Sequence, residues 1–518
     1  MDDDIAAQSF GTVPGQVSKF AQTHPSHPAL IQGGRSVTYA DLNAIMDRVA
    51  AALQRDSIQP REIVGISAGD SIEYLTVFLG ALRAGVAVAP LPKNVTPKTL
   101  SAMIQDAEIR LLFVDAASRS SLPVPTKTDR TRLVALDGSE GVQSFLEWLP
   151  SETVRPRVVD IQPDFPFNVI YSSGTTGIPK GILHSCAMRW AHVKQASSRG
   201  YGVDSILLAG TPLYSNLTLM SVFQCLARGG TIVLMQKFEP GNYLALVKKH
   251  LVSHTVLVGV QYERLMAHPD FSREIISTLR VKLTGGAPMS PALKGAILDS
   301  WPGELYEAYG VSEGGGICIL AAHVHRDKLH TVGKPVPGHE FRIIDENGAE
   351  LPQSQIGEII GRSPQMMTGY FNNRISTADA EWFDAAGRRF IRSGDIGRFD
   401  DDGFLVLLGR AKDMIISGGF NIYPKDIEEV LETYPDILEV AVVGVRSEKW
   451  GETPIAFVAP KLGTAPEPAA ILSWVNARVG KLQRLAGIEL IDQLPRNAVG
   501  KILKRELRET YETRHQSH

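Results

Sequence analysis

Residues 63–89 read IVGISAGDSIEYLTVFLGALRAGVAVA, and the alternation within this stretch decides the fold class. Ile63-Val64-Gly65-Ile66 is a β-branched strand signal, Ser71 to Leu82 has helical character ended by Gly85, and Val86-Ala87-Val88-Ala89 is a second strand. A strand, a helix and a strand joined by short connections form a right-handed crossover that leaves the two strands parallel. Leu75 to Leu91 is the longest apolar stretch of the chain, but Arg83 and Gly85 interrupt it and Pro92 follows. It is therefore read as a helix and a buried strand, not a membrane span.

Working outward, Ser36 to Tyr39 is a short strand, and Ala40 to Arg55 carries Leu42, Ile45, Val49 and Leu53 on one helical face. The strand signal recurs at Leu111–Val114, Val169–Tyr171, Thr231–Leu234 and Thr255–Val258. After about residue 330 the character changes to glycine-rich short strands such as Phe341–Asp345 and Gly357–Ile360. Beyond Arg410 lie a helix from Pro424 to Thr433, strands at Val440–Val443 and Ile455–Val458, and a helix near Ala469 to Val479. The expected fold is α/β. A large N-terminal domain, 1–410, would be built of parts at about 1–170, 171–330 and a β-rich 331–410, followed by a small α+β domain at 411–518.

The 518 residues contain 53 Lys+Arg and 56 Asp+Glu, a net charge of −3. So even a balance argues against a chain that coats nucleic acid or an anionic membrane. Cys186, Cys225 and Cys318 are too few and too scattered for a disulfide framework or a metal knuckle, and are read as small buried hydrophobes in a reducing, cytoplasmic setting. The opening Met1-Asp2-Asp3-Asp4 is acidic where a signal peptide is basic, and no integral membrane segment is expected. The sequence leaves oligomeric state open, a homodimer included.

The strongest chemical signal is Tyr171-Ser172-Ser173-Gly174-Thr175-Thr176-Gly177-Ile178-Pro179-Lys180-Gly181. Hydroxyls, exposed backbone N–H groups and a closing ammonium make an anion cradle. The spacing is not that of a Walker loop, because five residues, the last of them Pro179, separate Gly174 from Lys180. On composition alone a plain surface loop stays open beside the phosphate reading. The run resembles the signature loop of the adenylate-forming superfamily: acyl- and aryl-CoA synthetases, nonribosomal peptide synthetase adenylation domains and firefly-type luciferases. The family's further motifs follow in order. They are Gly285-Gly286-Ala287-Pro288, Tyr309-Gly310-Val311-Ser312-Glu313, Gly357-Glu358, Ser393-Gly394-Asp395, Arg410-Ala411-Lys412-Asp413, Ser417-Gly418-Gly419-Phe420 and Pro495-Arg496-Asn497-Ala498-Val499-Gly500-Lys501.

The resemblance implies a site residue by residue. Ser172, Ser173, Gly174, Thr175, Thr176, Gly177 and Lys180 would hold the phosphates of ATP. Gly286, Ala287, Tyr309 and Gly310 would take the adenine, with Tyr309 stacking on it. Ser312 stands where a threonine usually holds the α-phosphate, and Glu313 where the Mg²⁺ ligand lies. Asp395 would bind the ribose, Arg410 would donate to the same sugar or to phosphate, and Lys412 would be the hinge of a mobile lid that rotates on the N-terminal domain. Lys501 would neutralise the charge that develops as a carboxylate attacks the α-phosphate. With Lys180 and Glu313 it completes the catalytic set. Gly418, Gly419 and Trp450 would contact coenzyme A.

The acyl group would lie among Tyr214, Ser215, Val258, Gly286, Gly315 and Gly316, with the run Gly314–Gly316 leaving room for a ring. Tyr214 to Phe223 contains no acidic side chain, which disfavours an amino acid because its ammonium would be buried unpaired. Two departures from the family pattern stand out. Ser215 replaces the usual aromatic or histidine gate, and Leu485 replaces a usual proline. The implied function is an ATP- and Mg²⁺-dependent ligase that joins an apolar, aryl acid to CoA with release of AMP. Loading of an acyl carrier protein and a medium- or long-chain fatty acid substrate are the alternatives.

Overall fold

The computed structural model describes residues 5, 7–93, 95–122, 131–172, 180–417, 420–447, 450–497 and 500–515. It divides into two compact units. One comprises Met1–Leu329, Pro335–Glu340 and Arg362–Ile391; the other comprises His330–Lys334, Phe341–Gly361 and Arg392–His518. The unit that holds residues 411–515 thus also holds 341–361 and 392–410.

In the first unit the 63–89 stretch folds as the crossover expected. Strands Ile63–Ser67 and Ala87–Pro90 pair in parallel, Ile63 opposite Ala87. The helix between them, Ile72–Arg83, is capped by the Ser71 side chain accepting from the Tyr74 N–H. Their sheet runs in the order Gly369–Tyr370, Lys180–Ser185, Pro166–Ser172, Ala87–Pro90, Ile63–Ser67, Leu111–Val114, Arg132–Ala135, Gln143–Ser144. Its centre is parallel. Lys180–Ser185 turns back antiparallel on Pro166–Ser172, with Ser172 opposite Lys180.

A second sheet of this unit contains, in order, Cys318–Ala321, Glu304–Tyr309, Val281–Gly285, His254–Val256, Ile206–Ala209, Thr231–Val233, Pro28–Gln32 and Arg35–Thr38. The helix expected from Ala40 begins at Tyr39, because Thr38 and Asp41 form a reciprocal capping box there. The central strands of the first sheet, Ile63–Ser67, Ala87–Pro90 and Leu111–Val114, are buried along their whole length, as befits parallel strands covered on both faces. The helices Tyr39–Arg55, Ile72–Arg83 and Asn216–Ala227 contribute residues to one apolar core.

In the second unit, strand Leu405–Arg410 pairs antiparallel with strand Arg389–Phe399, and the register sets Asp395 opposite Arg410. Farther on, Phe420–Ile422, Ile415–Ser417, Gly451–Pro460 and Ile437–Ser447 lie in that order, with Gly487–Leu490 parallel to Gly451–Pro460. The period of two is explicit along Ile437–Ser447. Val440 and Val442 join one core with Ile427, Leu431, Ile471 and Val475 of helices Pro424–Leu431 and Pro468–Asn476. Ala441, Val443 and Val445 join the opposite core with Leu507 of helix Lys504–His515. Leu485, the departure from proline, is buried in the first of these cores. Among the described residues no helix is long and apolar enough to cross a membrane.

Candidate active site

Two groups of the expected residues gather, one in each unit. In the first, the strand after the signature loop carries Lys180, and the short strand Gly369–Tyr370 pairs beside it, Tyr370 opposite Ile182. The Lys180 ammonium lies 5.1 Å from the centroid of the Tyr370 ring, within reach of its π face. The Tyr370 hydroxyl donates to Glu313 Oε1 at 2.7 Å, and the Met367 N–H donates to the Glu313 carbonyl at 2.8 Å. Lys180, Tyr370 and Glu313 therefore form one charged cluster. Tyr370, which the sequence reading did not single out, is its bridge.

The neighbouring Ser312 is held by its backbone, its carbonyl accepting from His184 Nε2 at 2.8 Å. Tyr309 ends strand Glu304–Tyr309, opposite Cys318. Gly285 closes strand Val281–Gly285 opposite Ala308, so the 285–287 and 309–313 segments leave adjacent strands at the same edge. A β-carbon on Gly285 would lie 2.5 Å from the Ala308 carbonyl oxygen, and this close approach requires glycine. Gly286 has φ +79° with nothing within 4 Å of a built β-carbon, so its backbone borders open space. A flat base fits against such a backbone.

The acyl-pocket residues are placed as follows. Tyr214 is half-buried, and burial together with the Asp70 carboxylate pushes its phenol up to about 12. Ser215 precedes helix Asn216–Ala227 and makes no side-chain cap. Val258 is buried, its N–H donating to Gln261 Oε1 at 3.0 Å. Gly315 and Gly316 are buried. Gly314 does not contribute room: at φ +76° its missing β-carbon would sit 1.6 Å from the Gln365 carbonyl oxygen, so backbone fills that space. The Gly310 backbone is packed likewise against the Gly316 carbonyl, 2.8 Å from a built β-carbon.

Asp70 is a second residue that the sequence reading missed. It accepts the Leu213 N–H at 3.1 and 3.3 Å, just before Tyr214. Burial raises its carboxyl to about 7, against the opposing effects of that N–H and of Lys93. Only its distance in sequence hid it, since the segment it holds begins 143 residues later.

The second unit gathers the remaining charges. The cross-strand pair becomes an ion pair, with Arg410 Nε 2.9 Å from Asp395 Oδ1. Lys412 lies in the 3₁₀ turn Ala411–Asp413 that follows, and Asp413 pairs with Arg508 at 3.5 Å. Lys501 is held by its own backbone, its N–H donating to Asn497 Oδ1 at 2.9 Å. Its ammonium is lowered to about 8, first by burial and then by Arg410 and Lys412, with Asp395 and Asp413 acting the other way. Four cations (Arg410, Lys412, Lys501, Arg508) thus stand with two carboxylates, an excess of two positive charges suited to a polyphosphate.

Trp450 is half-exposed, its N–H donating to Ser447 Oγ at 3.3 Å. Ser173, Gly174, Thr175, Thr176, Gly177, Gly418 and Gly419 lie outside the described residues, and only the backbone of Ser172 is described. The three cysteines are buried, and burial raises each thiol, which makes them poor nucleophiles.

Among the described residues no cluster of three metal-ligating side chains occurs. Mg²⁺ is a hard ion that takes one or two carboxylates and completes its shell with phosphates and water. Glu313, oriented by Tyr370 and next to Lys180, is a carboxylate of that kind.

Two family models match the chain: AMP-binding enzyme over residues 17–371 and AMP-binding enzyme C-terminal domain over residues 426–501. A fatty acid–[acyl-carrier-protein] ligase of Streptomyces coeruleorubidus is 31% identical over 519 residues, 98% of each chain. An indoleacetate–CoA ligase of Aromatoleum aromaticum is 30% identical, covering 95% of this chain and 97% of that protein. Among solved structures, ATP-bound MatB from Rhodopseudomonas palustris superposes with a TM-score of 0.86 at 27% identity, over 97% of this chain and 99% of that one. CoA ligases of the matched family use ATP, Mg²⁺ and CoA. With models matched over most of its length and relatives alike from end to end, the chain belongs to the AMP-binding enzyme family and is an AMP-forming acid–thiol ligase.

Proposed function

We propose that the chain is a cytoplasmic aryl acid–CoA ligase. In the first half-reaction a carboxylate oxygen attacks the α-phosphorus of ATP, the bond to the β-phosphate oxygen breaks, and pyrophosphate leaves. In the second, the CoA sulfur attacks the acyl carbon of the adenylate, AMP departs, and the thiol proton passes to solvent.

Lys180, Ser312 and the signature loop bind the phosphates, and Gly286, Ala287, Tyr309 and Gly310 receive the adenine. Asp395 and Arg410 hold the ribose. Glu313 would hold Mg²⁺, which neutralises phosphate charge when bound. Lys501 stabilises the charge that grows during adenylation, a donor worth roughly 10²–10³ in rate. Lys412 is the hinge between the two half-reactions, and Gly418, Gly419 and Trp450 meet the pantetheine and nucleotide of CoA.

One observation carries the aryl reading. The wall from Tyr214 to Phe223 is apolar apart from Asn216 and the small hydroxyls of Ser215, Thr218 and Ser221, and Leu217 comes within 3.6 Å of a β-carbon built on Gly285. An apolar side chain beside Gly285 favours an apolar acyl group over a charged one. The indoleacetate-, coumarate- and feruloyl-activating relatives support the same class.

A pyrophosphate-release screen over aryl, cinnamyl and fatty acids, followed by thioester detection, tests the reading. The largest kcat/KM is expected for an aryl or cinnamyl acid with free CoA. Preference for a fatty acid, or release of pyrophosphate without acyl-CoA, refutes it. The second outcome would favour transfer to a carrier protein, the reaction that the Streptomyces relative's name describes.

A further inference from the structure

The first unit contains a buried polar relay that the reaction as described leaves unused. Strands Pro166–Ser172 and Lys180–Ser185 set Asn168 opposite His184, and neither side chain is exposed. Helix Cys186–Lys194 follows at once and carries Arg189, only 1% exposed. Arg189 Nε donates to Asn168 Oδ1 at 2.9 Å. Arg189 Nη2 meets His184 Nδ1 at 2.9 Å and donates to Asn216 Oδ1 at 2.7 Å. On its far side, His184 Nε2 reaches the Ser312 carbonyl at 2.8 Å.

These partners fix the imidazole. A carbonyl can only accept, so Nε2 carries the proton, and Nδ1 is the acceptor. The guanidinium on Nδ1 excludes a second ring proton, in line with the lowered His184 pKa, whose causes are burial first and then Arg189. Drawing charge from Nδ1 also makes Nε2–H a stronger donor to the Ser312 carbonyl.

The three acceptors of Arg189 named above are all neutral. Burying a cation against neutral groups costs several kcal/mol relative to an apolar side chain of similar volume. Packing alone gives no reason for a guanidinium here. What the guanidinium supplies is a rigid fork joining two functional segments: Ser312–Glu313 through His184, and the start of helix Asn216–Ala227, beside Ser215, through Asn216.

We propose that Arg189 and His184 are positioning residues that lock the Ser312–Glu313 step for MgATP and tie it to the wall of the acyl pocket. The proposal rests on the assignment of Ser312 and Glu313 to the nucleotide, and the test separates the two. MgATP dissociation constants are measured by titration calorimetry on the full chain for wild type, His184→Phe, His184→Gln, Arg189→Met, Ser312→Ala and Glu313→Gln, with melting temperatures in parallel.

His184→Phe is expected to weaken MgATP about tenfold, the equivalent of one lost hydrogen bond of about 1.4 kcal/mol. His184→Gln, whose amide N–H can still reach the carbonyl, should stay within threefold of wild type. Arg189→Met, similar in volume and free of the buried charge, should weaken MgATP at least threefold whatever its melting temperature; it serves as the test should His184→Phe fail to fold.

A structural role would move the melting temperature and leave affinity alone. Equal affinities for the Phe and Gln variants, or Arg189→Met within twofold of wild type, overturn the relay. If Ser312→Ala and Glu313→Gln still weaken binding in that case, the nucleotide assignment survives. If those two leave affinity unchanged, the assignment falls and the relay falls with it.

Discussion

Lys501 offers the sharpest test of the adenylation role proposed for it. Its ammonium is lowered to about 8 because it is buried beside Arg410 and Lys412, and Asp395 and Asp413 only partly compensate. A lysine serving as a cation is active only when protonated. With a pKa of about 8, roughly nine-tenths of the free enzyme carries the charge at pH 7, half at pH 8 and one-tenth at pH 9. The rate of adenylation should therefore fall as pH rises through 8, by about tenfold between pH 7 and pH 9. The profile of kcat/KM reports the free enzyme, before bound phosphate shifts the group. Arginine at this position stays charged throughout that range.

The assay is acid-dependent ATP–pyrophosphate exchange, recorded from pH 6.5 to 9.5 for wild type, Lys501→Arg and Lys501→Ala. Wild type should bend downward near pH 8. Lys501→Arg should lose activity through altered reach but show no bend there, and Lys501→Ala should be lower by roughly 10²–10³ at pH 7. Thioester formation from a supplied acyl-adenylate should be unchanged in Lys501→Ala. A wild-type profile that is flat to pH 9.5, or the same bend in Lys501→Arg, refutes the assignment of the titrating group.

Other consequences follow from single contacts. Tyr370→Phe removes the donor to Glu313 Oε1, a bond to a charged group worth about 1.5–3 kcal/mol; the Mg²⁺ concentration for half-maximal pyrophosphate exchange should rise several-fold with little change in melting temperature. Gly314→Ala forces a β-carbon to within 1.6 Å of the Gln365 carbonyl oxygen and should cost more than about 4 kcal/mol of stability. Gly286→Ala, at a similar positive φ but with open space around it, should cost only about 1–2 kcal/mol, and urea unfolding compares the two. Lys294 and Glu307 form an ion pair with side chains 3% and 4% exposed; Lys294→Met leaves that carboxylate buried without its cation and should lower stability by about 3–5 kcal/mol in the same assay.

What could be read from the chain before its structure follows from the range of the forces involved. The crossover at 63–89 was legible because strand and helix periods are local, and the Ser71 cap and Gly85 stop act within a turn. The cross-strand pair of Asp395 and Arg410 could be named from motifs alone, but its ion pair depends on the register of an antiparallel hairpin. Residues that act through folded contacts carried no such mark. Tyr370 meets Glu313 across 57 positions and His184 meets Ser312 across 128, and in sequence each is an ordinary core tyrosine or histidine.

Gly314 shows the converse error. Three consecutive glycines read as space for a ring, whereas the first of them is consumed by the Gln365 backbone. A missing side chain in the sequence says only that something comes close, and the fold determines whether that something is substrate or main chain. In the proposed pocket, the room for the acyl group on this wall would fall to Gly315 and Gly316. Enlarging either should narrow the range of acids accepted, whereas enlarging Gly314 should unfold the loop before selectivity can change.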